Sequence, residues 1–160
     1  MKRIMVMGIG NVLMQDDGVG VHVIRQLKEL DVPPQVELVD GGTHSYDLLD
    51  YFSQADVCIV VDAMHAGGKP GTVYRAPLEE LDMKPNPNIQ SLHEISFAEA
   101  MYMLQLEGYN PQVLVYGVEP QSIELSLELT PIVAEQVPFI IEMIQKDIAN
   151  LLSESATFSG

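Results

Sequence analysis

Apolar residues in this chain come in short continuous runs, separated by stretches with helical spacing. Residues 3–8 (RIMVMG), 36–40 (VELVD) and 57–62 (VCIVVD) read as strands. Their apolar positions are mostly continuous rather than alternating, as expected for strands buried on both faces. Between the first two, Val19, Val23, Ile24, Leu27 and Leu30 recur at helical intervals, which predicts a helix over residues 18–30. A short helix is expected over residues 45–52. The next apolar run, residues 72–76 (TVYRA), follows Asp62 after only nine residues, among them Gly67, Gly68, Pro70 and Gly71. That is too few for a helical crossover, so this strand should run antiparallel to the others, at an edge. Residues 77–90 carry three prolines and read as a loop. A helix over residues 95–106, a fifth strand within 111–118 and a last helix over 131–152 complete the order.

Alternating strands and helices predict a three-layer α/β/α sandwich on a five-stranded, mostly parallel sheet with one antiparallel strand. A single domain is expected over residues 1–152, with a polar, frayed tail at 153–160. Sites in such sheets form beyond the carboxyl ends of the strands, where strand order reverses. On this reading the second strand ends at Asp40 and the third at Asp62, and residues 8–20 follow the first. Acidic residues therefore gather at one edge of the sheet.

Charge narrows the partners. The 160 residues hold 23 acidic and 8 basic side chains, a formal charge of -15. Such a surface repels phosphate backbones and anionic lipid heads, so neither nucleic acid nor a membrane is expected as a partner. A metal cation or a basic peptide suits it better. The lone cysteine, Cys58, lies inside an apolar run and reads as a small core residue rather than a nucleophile. The first apolar run is short and leads into a glycine loop, unlike a signal peptide, and the cytoplasm is the expected compartment.

Gly8-Ile9-Gly10 after a first strand raises a dinucleotide reading, with Asp40 as the ribose-binding acid. The third glycine of that fingerprint falls on Leu13 instead. Asp16 and Asp17 at the helix entrance would also repel a pyrophosphate. The glycines then serve to turn the chain sharply off the strand. The plain role for Asp16 and Asp17 is helix capping. Asp62 is harder to explain that way, since a carboxylate ending a buried strand needs a cation, a donor or solvent. Asp17 and Asp62 converge if the first and third strands are neighbours, and two carboxylates brought together repel unless a cation sits between them. Imidazole is the natural third ligand for nickel or zinc. His22 reads as a structural or exposed helix residue. His44, His65 and His93 each remain possible ligands on spacing alone.

The chain resembles the maturation endopeptidases of nickel–iron hydrogenases over residues 3–151. The resemblance lies in Gly8-Ile9-Gly10-Asn11 with Leu13 and Asp16-Asp17-Gly18-Val19-Gly20, and in Asp40-Gly41-Gly42-Thr43. It continues through Val61-Asp62-Ala63, Pro70-Gly71-Thr72, Ser91-Leu92-His93, Gly117-Val118-Glu119-Pro120 and Leu129-Thr130-Pro131. It implies a peptidase that removes the C-terminal extension of a hydrogenase large-subunit precursor already carrying nickel. It implies Asp17, Asp62 and His93 as both metal ligands and catalytic groups. Asp16 and Asp40 are secondary candidates on their position in the chain. The resemblance implies nickel supplied by the precursor itself, with zinc or cadmium able to substitute. A monomer is expected. The alternative is a nickel sensor or carrier on the same scaffold that binds without cutting.

Overall fold

A computed structural model describes residues 2–42, 54–80, 90–91, 105–108 and 111–158. Six strands are described: β1 (Ile4–Ile9), β2 (Val36–Gly42), β3 (Val57–His65), β4 (Val73–Pro77), β5 (Gln90–Ser91) and β6 (Gln112–Val118). The helices are α1 (Val19–Leu27), preceded by a 3-10 turn at Gln15–Gly18, then α2 (Pro131–Ala134) and α3 (Gln136–Phe158). The main sheet has the order β2-β1-β3-β6-β4. Within it β1 runs parallel to β2 and β3, and β3 parallel to β6. Only β4 is antiparallel, against β6 and at the edge, as its short connection to β3 requires. The two-residue β5 pairs antiparallel with the last residues of β3, outside this path.

Alternation along the strands divides the core in two. Ile4, Val6, Ile59, Val61 and Ala63 face α1 and α3, packing on Val23, Ile24, Leu27, Ile140 and Ile144. Met5, Met7, Cys58, Val60, Val113 and Val115 form a second buried cluster on the opposite face. Both faces are thus removed from water, as the continuous apolar runs predicted. The helices expected at residues 45–52 and 95–106 lie outside the described residues, apart from Gln105 and Leu106, which are helical.

Several boundaries differ from the sequence reading. β3 continues past Asp62 to His65, because β6 pairs Asp62 with Gly117 and Ala63 with Val118, and β5 then takes Met64 and His65. β2 continues to Gly42 across a register shift, with Gly8 opposite Asp40 and Ile9 opposite Gly42. α1 ends at Leu27, and Leu30 is exposed rather than part of the apolar stripe. The last helical segment extends beyond Leu152 to Phe158, where a frayed polar tail was expected.

The strand order reverses between β1 and β3, since the chain leaves β1 toward β2 and returns on the other side. The crevice at this switch point is bounded by the segment after β1 and the carboxyl end of β3.

Candidate active site

The segment after β1 is shaped by close backbone approaches. A Cβ on Gly8 would collide with the Gly20 carbonyl, and one on Gly20 with the carbonyl of Val61. α1 therefore packs directly on β1 and β3 at these points. Gly10 adopts φ 137°, and a Cβ there would strike the Asp17 carbonyl oxygen. Gln15, with φ 52°, takes a left-handed conformation rare for a residue with a side chain. The chain thereby reverses in a few residues and delivers Asp16 and Asp17 to the 3-10 turn.

The 3-10 turn carrying Asp17 packs against β3, which carries Asp62. Both residues are nearly removed from solvent, 4% and 6% exposed. Asp17 Oδ2 accepts the Asn11 backbone N–H at 3.0 Å. Neither Asp16 nor Asp17 caps α1, whose N-cap is Gly18 with no side-chain capping bond. The structure thus places the two sequence-predicted carboxylates on elements in contact at the switch point of the sheet.

The third predicted ligand, His93, lies outside the described residues, as does His44. Ser91, two positions before His93, pairs with Met64, two positions after Asp62. Among the described residues no group of three His, Cys, Asp or Glu forms a metal site. His65 falls on the strand parity of Val61 and Ala63, opposite to that of Asp62. Its Nδ1 stands 3.7 Å from Glu119 Oε2.

Asp16 serves the fold. It is fully buried. Its Oδ1 accepts the Thr130 N–H at 2.9 Å, and its Oδ2 accepts the N–H groups of Gln121 (2.9 Å) and Ser122 (3.1 Å) and the Thr130 hydroxyl (2.8 Å). It fastens the loop between β6 and α2 onto the 3-10 turn. Asp40 pairs with Gly8, and β1 separates its strand from β3. Two strand spacings put about 10 Å between their backbones.

Glu119 is a buried acid that the sequence reading named within a motif but gave no role. Its Oε1 accepts the N–H groups of Ala66 (3.0 Å) and Gly68 (2.7 Å) and the Tyr74 hydroxyl (3.2 Å). It fixes the turn that leaves β3 beside the crevice. The available signal was the one that singled out Asp62, an acid at the end of a buried strand. Burial, then Glu119, pushes the Tyr74 hydroxyl pKa up. Cys58 is a buried free thiol whose pKa burial raises to about 12, so it stays protonated and is no nucleophile.

These observations define an α/β protein with a mixed sheet and two buried carboxylates at its switch point. Comparison with known proteins makes it specific. Residues 21–147 match the family model described as hydrogenase maturation protease. The chain is 35% identical over 143 residues to the hydrogenase expression/formation protein HupD of Rhodobacter capsulatus, covering 88% of this chain and 68% of that protein. It is 32% identical over 145 residues to the hydrogenase 2 maturation protease of Escherichia coli, covering 89% and 88%. The solved structure of the hydrogenase maturating endopeptidase HybD from E. coli superposes with TM-score 0.82 at 29% identity, covering 92% and 93%. The chain belongs to the hydrogenase maturation protease family and is a peptidase.

Proposed function

We infer that this peptidase removes the C-terminal extension of a hydrogenase large-subunit precursor, and that it recognises nickel already held by that precursor. The observation that supports the site assignment is that Asp17 and Asp62, both buried, lie on elements in contact at the switch point of the sheet. Two carboxylates with an imidazole from His93 form a donor set suited to a borderline divalent cation, with positions left for the precursor's own ligands. β5 supports this choice of histidine, since it runs beside the end of β3 just before His93. The same ligands would accept zinc or cadmium in place of nickel.

Nickel is cargo of the substrate in this reading. Asp17, Asp62 and His93 orient the precursor by gripping its metal, and one of the two carboxylates takes a proton from the attacking water. The peptidase is thus of the aspartyl type. No helix among the described residues is long and apolar enough to cross a membrane, and the reading places the enzyme in the cytoplasm as a monomer.

The test is incubation with nickel-loaded and nickel-free precursor, following the loss of the C-terminal segment by mass. The loaded form should shorten and the nickel-free form should not. Binding of the loaded precursor without shortening would identify a nickel carrier instead. Equal cutting of both forms would remove nickel from recognition. Asp62→Asn and His93→Ala should each abolish shortening while unfolding at the wild-type temperature.

A further inference from the structure

The loop that Asp16 fastens holds three large apolar side chains in solvent. Leu13 is 52% exposed, Leu125 81% and Leu127 62%. They are neighbours. Met14 pairs with Ser126 in a parallel bridge. Ser126 donates its N–H to the Leu13 carbonyl, and Gln15 donates its N–H to Ser126, both at 2.9 Å. In that register Leu13 lies beside Leu125, and Leu127 follows two residues on.

Scattered exposed leucines need no explanation, whereas three on one braced bridge form a surface. A slack loop would fold its leucines inward. This one is pinned at Gln121, Ser122 and Thr130 by a buried carboxylate, and Gln15 holds a left-handed φ beside it. The ridge also adjoins the 3-10 turn that carries Asp17, because Asp17 donates its N–H to the carbonyl of Met14 at 3.1 Å. The exposed acids Glu124 and Glu128 flank Leu125 and Leu127.

We propose that the ridge of Leu13, Leu125 and Leu127 is the docking surface for the protein substrate, receiving an apolar stretch of the precursor that also carries basic residues. This rests on the reading of the chain as a precursor-processing peptidase. The flanking glutamates call for cationic side chains on the partner. A second copy of this chain, itself at -15, meets the ridge with like charge. The ridge begins at Leu13, four residues before Asp17, so docking here shares the work of recognition between a metal grip and an apolar one.

The test is the double variant Leu125→Ser/Leu127→Ser, with Leu125→Lys as a second variant at the most exposed position. Each is assayed on full-length nickel-loaded precursor after its melting temperature is shown to match wild type. KM should rise about tenfold or more with kcat changed less than about twofold, because loss of a docking contact removes binding common to ground and transition states. An unchanged KM in both variants overturns the proposal. If wild type itself does not cut, the functional reading fails separately. Co-sedimentation of the precursor with wild type and variant then decides docking, and equal binding overturns it. A wild-type dimer that the double variant dissociates, with KM unchanged, makes the ridge a self-association surface and also overturns the proposal.

Discussion

Asp16 and Asp17 are adjacent and chemically identical, yet they do different work. Asp16 accepts four hydrogen bonds from the loop that α2 follows, whereas Asp17 lines the crevice beside β3. Asp16→Asn leaves one oxygen for four donors and turns an N–H group toward one of them. It should cost about 2–4 kcal/mol. Asp17→Asn keeps an acceptor for the Asn11 N–H and should cost about 1 kcal/mol or less while abolishing cleavage. Urea unfolding paired with the cleavage assay reads both, and similar stability losses in the two variants would refute this division. The sequence reading ranked Asp17 above Asp16 but did not reveal what Asp16 does, because the donors that occupy it lie more than a hundred positions away. His22 offers a second residue-level test. Its pKa lies below the ordinary 6.5, chiefly through burial and then through Arg25, with the Leu127 backbone and Asp16 opposing. The unfolded chain therefore binds the proton more readily. The stability from neutral His22 is complete above pH 6.5 and is lost as pH falls from 6.5 through the folded pKa. His22→Gln should flatten that part of the stability profile, and an unchanged slope below pH 6.5 would count against it.

At the scale of elements, strands were legible where burial alone makes them. The apolar runs at β1, β3 and β6 need no partner to be recognised, and the short link after β3 sufficed to turn β4 antiparallel. Boundaries set by pairing were not legible. β3 passes through Asp62 because β6 and β5 supply partners there, and no local signal in Ala63-Met64-His65 announces it. Nor does the sequence reveal that Gly20, in the first turn of α1, lies against the Val61 carbonyl. Propensity alone says that alanine would strengthen α1 by about 1 kcal/mol. The close approach decides the other way. Gly20→Ala must push α1 off β3, and it should lower stability by about 2 kcal/mol or more and displace the 3-10 turn that carries Asp17. Thermal unfolding checks the sign, and a stabilised variant would show that the helix can shift freely. On the far edge, Arg75 of β4 reaches Asp147 of α3 through Nη2 at 2.6 Å and Nε at 3.1 Å, and the Tyr116 hydroxyl joins the same carboxylate. The edge strand is thereby tied to the long helix, which continues past the point where its sequence turns polar.

For the whole molecule the dominant fact is the excess of acid. A net charge of -15 on 160 residues stores repulsion in the compact state, and screening relieves it. Docking works in the opposite sense if the precursor presents basic residues to the Leu13–Leu125–Leu127 ridge. There salt weakens an attraction that unscreened charge strengthens. One titration separates these effects. Raising sodium chloride from about 0.05 to about 0.5 M shortens the screening length from roughly 14 to 4 Å. The melting temperature of the free enzyme should rise by a few degrees over that range, while KM for the precursor rises and kcat holds. A melting temperature that falls with salt would mean that local ion pairs, such as Arg75 with Asp147, outweigh the global repulsion. A KM indifferent to salt would leave the ridge purely apolar and assign the acids around it to solubility.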